Sequence, residues 1–325
     1  MSAISAIVPE SRYERVINVS KRVRWEIERD LIRGRRFDYT LTFLPDRLSM
    51  ASELEFLSED DLRLLSQVQG RTYAYMFGLV ERFIGMKTLE LGQQHALGSQ
   101  IAMEALVRMT DEELKHQELF RRLETMMAAD MPPGYEMTAD PNGVAQAVLG
   151  KCSWAVLALT LDIELFSQAH YRASIAPQDQ LCPLWKDVFL FHWKEESQHA
   201  IIDELELVRE DTRLTKAERD AAVGDLIELV GAVDGILRAQ AAADARYFIA
   251  IAGREFSDEQ AERVHAGMLK AYRWQYIVSG TMEPRFQKVL FSLVDEEQGA
   301  RIQQAMAPLA YAMPALPEMA LPMAA

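Results

Sequence analysis

Cysteine is nearly missing from this chain: Cys152 and Cys182 are the only two in 325 residues, and they lack metal-ligand spacing. That leaves no cysteine cluster for zinc or an iron–sulfur centre, and reduced thiols in a cytoplasmic protein are the simplest account. Positive charge is also short. There are 35 basic against 49 acidic residues, for a net charge of -14, and no Lys/Arg cluster interleaved with aromatics, which argues against nucleic acid as a partner. Long hydrophobic runs are absent as well. The longest, Trp154 to Leu161, is ended by Asp162 and followed by Glu164, so it is too short to span a bilayer and no membrane association is expected. The first thirty residues carry charges at close intervals, without the apolar segment and cleavage site of a secretory signal. No flavin or nicotinamide fingerprint occurs, so redox chemistry here would need an external electron donor, such as a reductase or a ferredoxin-like protein.

What is present is helical periodicity almost throughout, with no pair of alternating runs joined by a hairpin turn. The expected fold is all-α and a single domain over residues 1–325. With 49% hydrophobic residues, a chain of this length buries about three quarters of its unfolded surface, enough for a bundle that also holds polar ligands inside. The first helix is expected from Ser11 to Leu31, followed by a loop from Arg35 to Ser49. A capping signal at Ser58 opens a helix through Glu81 toward Gln93, and another runs from Leu97 to Ala129. After a loop from Met131 to Gly143, helices are expected over Val144–Ala173 and Leu184–Glu210, completing a core bundle of about residues 59–210. Further helices follow from Thr215 toward Gly253, from Ser257 to Ser279 and from Glu283 to Ala307. The Pro308–Ala325 tail is either a strap over an apolar groove or a flexible end.

Two Glu-x-x-His pairs stand out, Glu113 with His116 and Glu196 with His199. At three residues' separation both side chains lie on one helix face and can reach one metal. Their settings match, Asp111-Glu112-Glu113 against Lys194-Glu195-Glu196. Two such pairs on separate helices are the signature of a carboxylate-bridged two-metal site in a helical bundle, which needs one more carboxylate from each of two partner helices. Glu81 and Glu164 each sit in an otherwise apolar helical run. The offsets agree (113 − 81 and 196 − 164 are both 32). A buried carboxylate demands a partner or a metal. Glu90 and Asp162 are the alternatives to Glu81 and Glu164; Asp162, two residues from Glu164, points to nearly the opposite side of its helix.

His192, Glu196 and His199 form a stripe at i, i+4 and i+7, so His192 can be a seventh ligand or a packed core histidine. His170 is a candidate to orient a ligand, as are Asp111, Asp162, Glu195 and Asp203. His95 and His265 read as surface or boundary residues. Carboxylates and imidazoles without thiolate suit iron, with manganese also compatible.

Glu81, Glu113-x-x-His116, Glu164 and His192-x-x-x-Glu196-x-x-His199 together resemble the p-aminobenzoate N-oxygenases, di-iron enzymes of the ferritin-like superfamily. The resemblance implies a ferritin-like four-helix bundle with added N- and C-terminal helices. It implies two irons and O2 as co-substrate, activated through a diferric-peroxo species to N-oxygenate a small amine, aromatic or heterocyclic, with a homodimer as the candidate assembly. The alternatives are a di-iron desaturase or hydroxylase acting on carbon, which needs no His192 ligand, and an iron-storage protein, whose chain is usually much shorter. A radical-generating subunit would need a tyrosine beside the metals, with Tyr73, Tyr75 and Tyr171 as candidates.

Overall fold

The structure, a computed structural model, describes residues 9–314, which are mostly helical with no β-strand among them. The chain begins with α1 (Glu10–Ser20), which ends well short of Leu31. The single helix expected over Ser11–Leu31 is broken: residues 23–26 are non-helical and lead into a widened turn, Ile27–Ile32. The reason lies in local alternation, with Trp25 and Ile27 buried while Arg24 and Glu26 are exposed, a period of two that a helix cannot satisfy. The connection from Arg35 to Ser49 is irregular as expected, save for one turn of helix at Asp46–Ser49.

Helix α2 (Glu59–His95) opens with a reciprocal cap. The Ser58 hydroxyl accepts from the Asp61 amide at 3.2 Å, and the Asp61 carboxylate accepts from the Ser58 amide at 2.9 Å. Helix α3 (Gln100–Asp130) is capped by Ser99. The helix expected over Val144–Ala173 is two, α4 (Pro141–Leu149) and α5 (Ser153–His170), the latter extended by a widened turn, Tyr171–Ile175. Asp140 and Pro141 form a start signal for α4, a side-chain cap followed by proline at the first helical position. The break comes at Cys152, whose backbone is extended and whose amide donates to Asp225 at 3.0 Å. Helix α6 spans Pro183–Asp211.

Beyond these lie α7 (Lys216–Ile251) and α8 (Asp258–Arg273), the latter running on through Trp274–Val278 to Thr281. The helix expected over Glu283–Ala307 is again two, α9 (Pro284–Leu293) and α10 (Glu296–Met306), because Asp295 caps α10 in a box with Gln298. Of the Pro308–Ala325 tail, residues 308–312 continue a 3-10 turn with Leu309 and Ala312 buried, and residues 315–325 lie outside the described residues.

The packing pairs α2 with α3 and α5 with α6, and the pairs meet through α3 with α6 and α2 with α5. Helix α1 lies over α3 and α6, while α7 packs against α5 and α2. Every residue from Trp154 to Gln168 is buried. Helix α5 is therefore enclosed on all sides, as its unbroken apolar run requires. No described helix is long and apolar enough to cross a membrane.

Candidate metal centre

Helices α2, α3, α5 and α6 each present carboxylate or imidazole groups to one internal volume. Glu81, His116, His192 and Glu196 bring one donor atom each within 4.8 Å of one another. So do Glu113, Glu164, Glu196 and His199, and a third set, Glu113, His116 and His199, overlaps both. All seven residues singled out by spacing therefore converge, each at most 2% exposed. Glu196 belongs to both four-residue sets, and Glu113 reaches histidines on either side. His116 Nδ1 lies 3.1 Å from Glu196 and 3.6 Å from Glu113; His199 Nδ1 lies 2.9 Å from Glu113 and 3.3 Å from Glu196. His192 Nε2 is 3.0 Å from Glu81 and 2.9 Å from Glu196, so this histidine faces the cluster.

Most of the inward atoms are unsatisfied, His192 Nε2, bonded to Glu81 at 3.0 Å, being an exception. Both oxygens of Glu113, one each of Glu81, Glu164 and Glu196, and Nδ1 of His116 and His199 are buried without a hydrogen-bond partner. Such atoms cost roughly 1–3 kcal/mol each unless something pairs with them. The outward ring nitrogens are satisfied across the helix pairs. His116 Nε2 on α3 lies 2.9 Å from Glu195 on α6, and His199 Nε2 on α6 lies 2.9 Å from Glu112 on α3. Each carboxylate precedes a cluster glutamate by one residue and holds the other helix's histidine, directing Nδ1 inward. Ser20 donates to Glu112 at 2.7 Å, and Lys115 donates to Glu195 at 2.5 Å. A buried cluster of this composition can hold metal.

Electrostatics fits crowding of negative groups. Burial, then the charge of Glu113, pushes the Glu81 carboxyl well above its ordinary range; burial, then Glu196, does the same to Glu164. Burial works against an imidazolium at His116, but the carboxylates of Glu113, Glu195 and Glu196 outweigh it and raise that pKa. Aromatic rings close one side. Phe77 and Phe120 stand edge-on to His192 at 5.1 and 5.2 Å between centroids, and Trp25 stacks on His116 at 6.2 Å.

Glu90 stands apart, half exposed and paired with Lys87 at 2.7 Å, and Asp162 turns away from the cluster toward Gly280. His170 orients no cluster residue: its two nitrogens meet Tyr73 and Ser279, each at 2.8 Å. That contact also commits the Tyr73 hydroxyl. His95 is buried rather than at the surface, bonded to Glu206 at 2.9 Å. Asp111 is exposed and faces outward; Asp203 is buried with one oxygen unpartnered. Glu195 supports a histidine as expected, but Glu112, Ser20, Lys115 and Trp25 were not foreseen. For Glu112 the signal was available, since a Glu-Glu doublet opens both pairs. Comparison of the chain with protein-family models, with curated proteins and with solved structures returns no match.

Proposed function

We propose that this protein is a non-haem di-iron oxygenase of ferritin-like architecture that adds oxygen to the nitrogen of a small amine. One observation carries the reading: six buried residues turn unsatisfied atoms to a shared volume that His192 also faces, while the outer nitrogens of His116 and His199 are tied to carboxylates. Glu81, His116 and His192 would hold one ion and Glu164 and His199 the other, with Glu113 and Glu196 between them. A donor set of four carboxylates and three imidazoles, without thiolate, favours iron or manganese over softer metals. Bound iron would supply electrons and a place for O2 to bind, with an external donor restoring the electrons.

The chain's own contribution is to fix and to dry the site. Glu112 and Glu195 set the orientation of two imidazoles, and Phe77, Phe120 and Trp25 exclude water from the side occupied by His192 and His116. His192 faces the cluster, and a histidine at this position is the feature by which the chain resembles the N-oxygenases, which is what favours amine oxidation over oxidation of carbon. The test is to supply iron-loaded, reduced protein with O2 and panels of arylamines and lipids, and to read products by mass spectrometry. Oxygen gained on nitrogen is the expected result. Desaturated or hydroxylated carbon with amines untouched would contradict it.

A further inference from the structure

On the far side of α5 from Glu164 lies an apolar cavity of about 360 Å3. Its walls include Leu159 of α5, Val230 of α7, Phe286 and Leu290 of α9 and Ile302 of α10. Met282 and Phe291 also line it, and both are unusually exposed for their type, at 47% and 43%. Among the described residues, one ionisable group stands in this lining, the carboxyl of Asp162, a residue only 6% exposed. Its Oδ1 is fully buried without a partner, and neither oxygen makes a hydrogen bond or ion pair among the described residues. The other polar lining groups near it are occupied: Thr281 donates to the Val278 carbonyl at 3.0 Å, and Gln287 donates to the Thr281 carbonyl at 2.9 Å.

No described residue relieves this carboxyl. Gly280 packs directly against it, and a Cβ there would fall 2.5 Å from both oxygens, so the backbone leaves space for the group yet offers it no donor. Glu283 adds a second negative charge nearby, and its own carboxylate is committed to capping α9 through the amides of Arg285 and Phe286. A buried acid facing an apolar cavity without a partner is a demand for a donor from outside the chain. We propose that this cavity binds a small amphipathic amine, its ammonium on Asp162 and its apolar body between α5, α7, α9 and α10. The volume falls in the range of small-molecule sites, and the composition, apolar walls with one fixed polar group, is the usual one. The site is separate from the metal cluster and does not rest on the oxygenase reading. Its occupant would pack on the helix that carries Glu164.

The test uses the full, metal-loaded chain without oxygen, titrated calorimetrically with n-octylamine, 1-octanol and octanoate. Octylamine should bind once per chain, at least about tenfold more tightly than octanol, with octanoate weakest, since only the ammonium brings a charged donor to the carboxylate whereas the alcohol brings a neutral one. Asp162→Asn, which keeps the shape, should bring the amine down to the alcohol while leaving metal content unchanged. Ile302→Trp, which fills the cavity and retains Asp162, should abolish binding of both, and it serves alone if the Asp162 variant does not fold. The proposal is overturned if wild-type protein binds the amine no better than the alcohol, or if Ile302→Trp leaves amine binding intact. It is overturned equally if the amine binds only to a chain shortened after Pro314, since the cavity then belongs to the chain's own terminus.

Discussion

His192 is the residue on which the choice of chemistry turns. It faces Glu81 and Glu196 at 3.0 and 2.9 Å and is buried among Phe77, Phe120 and Phe189. Replacing it with Ala should leave the helices and most metal binding intact but lower amine oxidation by at least about tenfold, the scale for losing a ligand or its orienting shell. Full activity in His192→Ala would reduce the histidine to packing. The carboxylates behind the ligands make a second prediction. Glu195→Gln removes the charge that His116 Nε2 and Lys115 share, and metal affinity in a chelator competition should fall by about 10–100-fold; an unchanged affinity would separate Glu195 from the site. Five of the cluster residues, Glu113, His116, His192, Glu196 and His199, were legible in the sequence because i, i+3 and i+4 spacing on a helix dictates a shared face, and Glu81 and Glu164 because each is a carboxylate in an apolar helical run, 32 residues before its pair. Partners reached across helices were harder to read. Ser20 and Trp25 precede Glu112 and His116 by 92 and 91 positions (112 − 20 and 116 − 25), and no periodicity links residues so far apart.

The helices themselves were legible wherever a cap stood beside a long periodic run, as at Ser58, Thr215 and Ser257. They were misread where the run continued through a break. Asp295 satisfies the start of α10 inside an apparently continuous pattern, and Asp225, remote in sequence, accepts the Cys152 amide where α4 gives way to α5. Only the first of these is a local signal. Helices α2 and α3 approach closely at Gly78. Gly78 sits where an added Cβ would fall 2.9 Å from the Phe120 Cβ, and neither helix backbone can yield without moving the ring that borders His192. Gly78→Ala should cost about 1–3 kcal/mol of unfolding free energy by overpacking, measured by denaturant titration. A variant as stable as the parent would show that α2 and α3 have slack there.

Across the whole molecule, the C-terminal helices join the core that holds the carboxylate–histidine cluster through Asp244. Its carboxyl is buried on α7 and accepts from Thr72 of α2 at 2.7 Å, Tyr272 of α8 at 2.5 Å and Gln240 at 2.9 Å. Burial pushes its pKa from 3.8 up to about 7, against the pull of those donors. The folded state thus holds a proton that the unfolded chain releases at lower pH. The stability contributed by the protonated acid is complete below about pH 4 and is lost as pH rises through about 7, on the order of 4 kcal/mol in all. The gap in unfolding free energy between wild type and Asp244→Asn should therefore shrink from pH 4 to pH 7; a gap independent of pH would contradict this. The proposed two-metal cluster shared by α2, α3, α5 and α6 is open to elemental analysis of iron-supplied protein. About two irons per folded chain are expected, with a sharp loss in Glu113→Ala. A value near zero in well-folded, iron-supplied wild-type protein would contradict it.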